Sequence, residues 1–298
     1  MGKGSEKSKA DSVWALAIHG GADPHPQDDH ARSEKHIREL LKTGSKMLKA
    51  GASAVETVHE MVKELEACGL HVAGKGAAPN LAGRWELDAA IMDGETRNAG
   101  AVAALQSIKH PIDAAVAVME HTPHVLLAGE GAMMFARAHK LKRIKDPKNY
   151  YTPAKSALAA KSEMAHGTVG AVALDMDGLL ASATSTGGVL KKMPGRVGDT
   201  PLIGAGTWAD ERVAVSCTGI GEYFVRTNAA SDVSARIRHG RESLETAANG
   251  VIEDIGFLGG QGGMIAIDCL GRLAMPFNTQ GMKRGFTHSN GKSRVATF

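Results

Sequence analysis

The chain has 298 residues, with 35 Lys and Arg against 32 Asp and Glu, for a formal net charge of +3. This charge is too small to predict nucleic-acid binding, and the 43% hydrophobic content is that of a globular protein. No apolar run reaches the roughly 18 residues of a membrane span, and no apolar signal segment follows the polar N-terminus. Three cysteines without metal-ligand spacing predict reduced thiols and a cytoplasmic location.

The first half of the chain predicts alternating strands and helices. An apolar run at 13–18 that ends at His19-Gly20-Gly21 predicts a buried strand followed by a glycine turn. Apolar residues at helical spacing predict one helix over 33–50 and a second that begins after the N-cap residue Ser53. Further strands are predicted at 86–94 and 99–105, and further helices at 112–119 and 130–138.

The second half begins after a stretch of different character. Residues 139–166 are charged, contain Pro147 and Pro153 and show no period, so we expect a flexible connector. Strand-like and helix-like runs separated by glycine clusters follow it, which predicts an α+β fold with helices layered on sheets. The predicted strands are 169–174, 179–184, 212–217, 262–268 and 272–275, the last two as a terminal hairpin, and the predicted helices are 231–240 and 243–255.

Residues 166–170 read HGTVG and place a threonine between a glycine and an apolar strand. If the Gly167–Thr168 bond is broken, Thr168 carries a hydroxyl and a free α-amine, whose ordinary pKa is about 7.7–8.0. The neutral amine can act as a general base for the hydroxyl, which makes such a threonine an activated nucleophile. A glycine before a threonine is also common at ordinary strand starts, so self-cleavage and a plain turn both stay open at this point.

Two glycine-flanked turns carry polar groups suited to an amino acid. Arg196 offers a planar fork for a carboxylate, and Asp199 offers an acceptor for an ammonium group. The two side chains could equally pair with each other as a surface salt bridge. The stretch CTGIGE at 217–222 could direct main-chain N–H groups at an oxyanion, or could be a tight turn.

These stretches resemble, in this order, the plant-type L-asparaginase and isoaspartyl aminopeptidase family of autoproteolytic N-terminal-nucleophile hydrolases. The resemblance lies in HGTVGAVALDMDG, SATSTGG, PGRVGDTPLIGAG, AVSCTGIGE and PFNTQGM. Upstream, AIHGGA at 17–22, ELDAAIMDG at 86–94, AGAVAAL at 99–105 and HTPHVLLAGEGA at 121–132 extend it, so that it covers residues from about 13 to about 285.

The resemblance implies a four-layer αββα sandwich that cleaves itself into an α subunit, 1–167, and a β subunit, 168–298. Residues from about 139 to 167 would be the linker before the cleavage site, and the two subunits would form one structural domain. The implied activity is hydrolysis of the side-chain amide of L-asparagine and of β-aspartyl dipeptides, through a β-aspartyl acyl-enzyme and without a catalytic cofactor. A cytoplasmic homodimer of αβ units is also implied.

The resemblance also implies residue roles. Thr168 is the nucleophile, released by cleavage after Gly167, and Thr186 assists it. Thr218 and Gly219 form the oxyanion hole. The substrate α-carboxylate binds Arg196 with help from Gly221, and the α-amine binds Asp199 with help from the carbonyl of Gly219.

A structural sodium ion is implied for the loop after the second helix. Its ligands would be the main-chain carbonyls of Leu65, Glu66, Cys68, His71 and Ala73. The same loop departs from the family pattern, because Val72-Ala73-Gly74 stands where Asn-Ala-Gly is usual and Gly69 replaces a proline. Since a valine side chain cannot form a hydrogen bond, a slow-maturing or non-catalytic member is one alternative. The same fold with glycosylasparaginase-like specificity is a second alternative.

Overall fold

Two β-sheets form the centre of the fold in the computed structural model, which describes residues 12–22, 24, 26–154 and 167–298. Within these residues the strands are β1 (Ala15–Ala22), β2 (Leu87–Asp93), β3 (Ala99–Leu105), β4 (Leu126–Ala128), β5 (Val169–Leu174), β6 (Leu180–Thr186), β7 (Thr207–Ala209), β8 (Val213–Gly219), β9 (Gly262–Asp268), β10 (Leu273–Ala274), β11 (Met282–His288) and β12 (Ser293–Ala296). The larger sheet has the order β12-β11-β1-β5-β6-β2-β3-β4, and the smaller sheet has the order β10-β9-β8-β7.

Helices pack against both sheets. In the described part of the chain they are α1 (Ala31–Lys49), α2 (Ala54–Ala67), α3 (Pro111–His121), α4 (Gly129–Ala138), α5 (Pro147–Tyr150), α6 (Gly221–Thr227), α7 (Ala229–Ala235) and α8 (Leu244–Phe257). The predicted cap of α2 is confirmed, because Ser53 and Glu56 form a reciprocal capping box. Helices α1, α2 and α3 contact the larger sheet, and α7 and α8 contact the smaller one.

Strand alternation divides the buried side chains among three cores. In β5, Val169, Ala171 and Ala173 join the core shared with α1–α3, whereas Val172 and Leu174 join the core between the sheets. The smaller sheet alternates in the same way, with Val213 and Val215 packed among the side chains of α7 and α8. The side chains on either side of one strand therefore enter different cores, as a period of two requires.

Strands from both sides of the predicted 167/168 boundary share the larger sheet. Strand β1 pairs antiparallel with β11 on one side and with β5 on the other. Strand β2 pairs antiparallel with β6 in the same way. The predicted boundary at 167/168 therefore falls between strands that interleave within a single sheet.

Three expectations differ from the structure. Part of the predicted connector, 139–154, is ordered, since Tyr151 stacks on Trp85 with ring centroids 5.0 Å apart and Thr152 donates its N–H to the carbonyl of Lys75. Residues 155–166 of that connector lie outside the described residues. Strands β9 and β10 do pair, but they are not terminal, because β11 and β12 follow. The helix predicted at 231–240 begins at Ala229 and ends in a π-helical turn.

Candidate functional site

Antiparallel pairing of β5 with β6 brings two of the predicted threonines into contact. Thr168 precedes β5 and lies opposite Thr186, since the next pairs in the register are Val169 with Ser185 and Gly170 with Thr184. The Thr168 hydroxyl donates a hydrogen bond to the Thr186 Oγ1 atom over 3.2 Å, and both residues are buried. Thr186 also accepts the N–H of Gly188 at 3.0 Å. The hydroxyl predicted to be the nucleophile is therefore held in one direction.

His19 holds the main chain of Thr168 through a buried hydrogen-bond network. Its Nδ1 atom lies 3.1 Å from the Thr168 carbonyl oxygen and its Nε2 atom lies 2.9 Å from the Ser216 hydroxyl. The Ser216 hydroxyl also forms a hydrogen bond with the hydroxyl of Thr184, which lies two residues before Thr186 on β6. Burial lowers the pKa of His19 to about 3, against a smaller upward effect of its bond to Thr168. The ring is therefore neutral, donates from Nδ1 and accepts from Ser216.

The Gly167 carbonyl is held by the main chain of Val72. The Val72 N–H donates to the Gly167 oxygen at 3.1 Å, and the Val72 carbonyl accepts the N–H of Gly187 at 2.7 Å. A Cβ atom on Gly167 would collide with the Val72 side chain. Close approach of Val72 therefore requires glycine at 167. Although the valine side chain cannot form a hydrogen bond, the main chain of Val72 forms two.

Arg196 and Asp199 lie on the same turn but do not pair with each other. Arg196 Nε and Nη2 bond to the two carboxylate oxygens of Glu222 at 2.9 and 2.8 Å, so the salt bridge considered from the sequence, between Arg196 and Asp199, is not the one formed. Asp199 is 4% exposed, and its Oδ2 atom has no hydrogen-bond partner among the described residues. Burial raises the pKa of Asp199 to about 7. The site thus contains a buried carboxyl group that a cation could satisfy.

Glycines surround this carboxyl group because no larger residue fits. A Cβ atom on Gly221 would lie 2.7 Å from Asp199 Oδ1, and one on Gly206 would lie 2.8 Å from Asp199 Oδ2. Gly221 is the first residue of α6, so the predicted glycine-rich stretch ends in a helix that the sequence pattern did not predict. The structure therefore brings Gly221, Asp199 and Arg196 together.

Thr218 and Gly219 lie at the end of β8. The Thr218 side chain lies on the same face of its strand as Ser216, and its Oγ1 atom accepts the N–H of Ala22 at 3.2 Å. Gly219 has φ +156°, and a Cβ atom there would lie 2.6 Å from the Gly262 Cα atom. Gly21, near the end of β1, approaches the predicted cleavage site, since a Cβ atom on it would lie 2.7 Å from the Gly167 Cα atom.

The side chains of the residues predicted to bind sodium are mostly directed into the protein interior, where they make three kinds of contact. Leu65 and Ala73 pack in the core under the larger sheet. The Glu66 carboxylate accepts hydrogen bonds from the Ser185 hydroxyl at 2.6 Å and from the Ile112 N–H at 3.0 Å, and burial raises its pKa. The side chains of Cys68 and His71 approach each other on the other side of the loop.

Sequence reasoning missed two contacts of the site. Glu222 was part of a quoted motif but was given no role, and its pairing with Arg196 depends on the start of α6 folding back over the turn. The contact of Val72 with Gly167 is formed by main-chain atoms, so no side-chain pattern could have indicated it.

The buried threonine pair beside a glycine supplies a hydroxyl group of the kind used in nucleophilic catalysis, and the unpaired carboxyl group of Asp199 could be satisfied by a cation. Comparison with known proteins gives the family. The sequence profile described as asparaginase matches residues 12–297, and the chain belongs to this family. The predicted family and the prediction that the chain is a hydrolytic enzyme are thereby confirmed.

Relatives of known name are similar over nearly the whole chain. An isoaspartyl peptidase of Salmonella typhimurium is 47% identical, with 92% of this chain and 95% of that protein aligned. An isoaspartyl peptidase of Escherichia coli is 45% identical, with 92% of each covered. A plant-type L-asparaginase of Pyrobaculum calidifontis is 40% identical, with 92% of this chain and 97% of that protein covered.

The described helices also bear on the expected absence of a membrane span. None of them combines the length and the apolar character that crossing a bilayer needs.

Proposed function

We propose that this enzyme hydrolyses the side-chain amide of L-asparagine and the β-aspartyl bond of isoaspartyl dipeptides, after cleaving itself between Gly167 and Thr168. One observation carries the proposal, namely the buried hydroxyl pair of Thr168 and Thr186 directly after Gly167. The names of the relatives, isoaspartyl peptidase and plant-type L-asparaginase, supply the substrates. We also propose that the two sheets and their outer helices are the four layers of an αββα sandwich.

Maturation needs the Thr168 oxygen to attack the carbonyl carbon of Gly167. The peptide C–N bond breaks as the new C–O bond forms, and the amine takes up the proton that the hydroxyl loses. Water then hydrolyses the resulting ester and releases the Gly167 carboxylate and the Thr168 amine. The Val72 N–H, 3.1 Å from the Gly167 oxygen, is placed to stabilise the negative charge that develops there.

In turnover the freed Thr168 amine acts as the base for the Thr168 hydroxyl. The hydroxyl oxygen attacks the substrate's side-chain carbonyl, and ammonia, or the amine of a dipeptide, leaves with the transferred proton. Water then hydrolyses the β-aspartyl ester to aspartate. Thr218 and Gly219 would stabilise the oxyanion of each tetrahedral intermediate, and Thr186 would orient the nucleophile.

Recognition of the substrate's amino-acid end is assigned to the Arg196–Asp199 turn. Asp199 has an unpaired, buried oxygen that an α-ammonium would satisfy, and the Gly219 carbonyl would add a second acceptor. Arg196 would bind the α-carboxylate beside Gly221, either through the part of its guanidinium not bonded to Glu222 or by exchanging that partner.

The two fragments would stay together after cleavage. Strands β1 and β2, from the proposed α subunit, each pair with a strand of the proposed β subunit. Separating the fragments would expose the shared core under the larger sheet, so we expect one structural domain. The homodimer of αβ units stays a prediction that sedimentation analysis tests. The cytoplasmic location stays a prediction that cell fractionation tests.

The structural sodium ion also stays a proposal. The carbonyls of Leu65, Glu66, Cys68, His71 and Ala73 would hold it, and those of Leu65, His71 and Ala73 each accept a hydrogen bond within the loop. A carbonyl oxygen has two lone pairs, so these bonds leave one of them for a cation. The ion would brace the loop and take no part in proton transfer.

The Thr168→Ala variant tests the proposed nucleophile. We expect the wild-type chain to give two bands on a denaturing gel, with intact masses that sum to the 31.1 kDa chain plus one water, and a light fragment that begins at Thr168. Thr168→Ala should stay whole and hydrolyse neither asparagine nor β-aspartyl-leucine. Processing of this variant would contradict the assignment of Thr168 as the nucleophile. A wild-type chain that stays whole would contradict self-cleavage and favour the slow-maturing alternative that Val72 suggested.

A further inference from the structure

Three side chains capable of binding a metal ion converge outside the proposed active site. They are His36 on α1, Cys68 at the C-terminal end of α2 and His71 in the loop that follows. One ligand atom of each lies within 4.8 Å of the other two. The cluster brings together a helix and a loop that are far apart in sequence, and the sequence pattern gave no sign of it because the spacing is not that of a metal motif.

Two nitrogen atoms of this cluster lack hydrogen-bond partners. His36 Nδ1 and His71 Nε2 are buried, and neither has a partner among the described residues. His71 Nδ1 lies 2.9 Å from the Gly20 carbonyl oxygen, so it carries the proton and leaves the Nε2 lone pair free. A histidine that ligates a metal characteristically donates its other nitrogen to such an acceptor. Burial of two unpaired nitrogens costs free energy that a bound cation would recover.

The chemistry of the donors selects the ion. Two imidazoles and one thiol suit zinc, and three protein ligands leave a fourth tetrahedral position for water. A tetrahedral site with Zn–N about 2.0–2.1 Å and Zn–S about 2.3 Å needs ligand atoms about 3.3–3.6 Å apart. The ligand atoms of this cluster would therefore have to approach one another by at most about 1.5 Å, a change that side-chain rotation can supply.

An ion can reach the cluster from solvent. Cys68 lines a cavity of about 370 Å³ together with Asp28, Asp29 and Lys283. The charges around the cluster have both signs. The carboxylates of Glu64 and Glu39 favour a positive charge at His36, whereas Lys283 disfavours one at His71. Asp28 in turn stabilises the charge of Lys283. Arg32 and Lys75 also line the cavity, so its charged groups are of both signs.

We propose that His36, Cys68 and His71 form a binding site for one borderline-soft divalent cation, with zinc as the best match. The site is distinct from a sodium site made of main-chain carbonyls, because its donors are side-chain nitrogen and sulfur atoms. His71 precedes Val72, whose N–H contacts the Gly167 carbonyl. Occupancy would therefore fix α1 to the segment beside the proposed cleavage site, although the binding itself does not depend on the proposed function.

Spectroscopy with cobalt tests the ligands directly. We expect chelator-treated full-length protein, held at constant sodium concentration, to bind one Co²⁺ per chain with a thiolate-to-metal charge-transfer band. Zn²⁺ added in competition with a chromophoric chelator should displace Co²⁺ and raise the melting temperature of the protein. His36→Gln and Cys68→Ser should each weaken Zn²⁺ binding by more than about tenfold, and Cys68→Ser should also abolish the band.

Two matched variants separate this site from general metal binding. Cys269→Ser removes an exposed thiol and His124→Gln removes an exposed imidazole, both away from the cluster. These variants should bind Zn²⁺ as the wild type does. Binding below one ion per chain, equal affinity in His36→Gln and the wild type, or a charge-transfer band that survives Cys68→Ser would overturn the proposal. His71→Gln is the weaker test, because His71 also supports Gly20 and its loss could unfold the loop.

Discussion

Replacing Asp199 with asparagine keeps the shape of the side chain and removes its charge. In the empty site the Asp199 carboxyl group is buried, and burial raises its pKa from 3.8 to about 7. The difference between these values corresponds to about 4 kcal/mol against the ionised form. A bound α-ammonium would reverse this effect, since an opposite charge favours the ionised carboxylate.

The sign of the stability change follows from proton binding. Between pH 3.8 and about 7 the folded chain keeps a proton that the unfolded chain has lost. The free energy of unfolding therefore falls as the pH rises through this window, by up to about 4 kcal/mol. Asp199→Asn has no such proton to lose. It should raise the melting temperature by several degrees at pH 8, compared with the wild type, and change it much less at pH 4.

The same variant should lose catalysis in proportion to the lost ammonium contact. A hydrogen bond between charged groups contributes about 1.5–3 kcal/mol, so kcat/KM for asparagine should fall roughly 10–150-fold. Succinamate, which is asparagine without its α-amine, should be hydrolysed equally by Asp199→Asn and by the wild type. The exposed Asp177 provides the matched control, and Asp177→Asn should behave as the wild type in both measurements.

Two results would refute this reasoning. If Asp199→Asn shifts the melting temperature equally at pH 4 and pH 8, the carboxyl group is not held protonated by burial. If succinamate hydrolysis falls as far as asparagine hydrolysis, the residue supports the site without binding the ammonium group.

Three further predictions concern other contacts of the site. Thr186→Val removes the acceptor of the Thr168 hydroxyl and should raise the barrier to self-cleavage by about 1–3 kcal/mol, which slows cleavage roughly 5–150-fold in a time course on gels. Thr186→Ser should restore the rate. Unchanged cleavage in the valine variant would show that this contact does not contribute. Arg196→Ala should lower kcat/KM by an amount that corresponds to about 2–4 kcal/mol, mainly by raising KM. Glu222→Gln disrupts the same ion pair but keeps the guanidinium, so its kcat/KM should fall far less. Equal losses in the two variants would assign the effect to the ion pair. Val72→Asn should change the self-cleavage rate by less than about tenfold, because the main-chain N–H is kept, and a larger acceleration would show that the side chain limits maturation.

Periodicity predicted the elements that pack on one clear core. Helices α1 and α2 and strands β5 and β9 have regular apolar patterns, and the structure places them as expected. Strand β11 was missed, because its sequence MKRGFTH mixes charges with a glycine. That glycine is explained only by tertiary contact, since a Cβ atom on Gly285 would lie 2.9 Å from side-chain atoms of Ile37 and Leu41 on α1.

Residue type predicted the chemistry of the site better than its pairing. An arginine and an aspartate on one turn were expected to bind the two ends of an amino acid or to bind each other. In the structure Arg196 pairs with Glu222 while Asp199 keeps an unpaired oxygen. The choice of partner depends on where α6 begins, and a seven-residue helix after a glycine turn is too short for periodicity to reveal.

Val72 shows why a changed side chain need not mean a changed function. Its N–H and carbonyl connect the Gly167 carbonyl to the Gly187 N–H, and any residue except proline supplies both groups. The valine side chain is itself accounted for, since it packs with Ala78 and Ala154 in a small apolar cluster. An asparagine there would have to find a polar partner in these surroundings, whereas valine gains from burial. The substitution therefore exchanges a side-chain amide for better packing while the main-chain contact with the proposed cleavage site is kept.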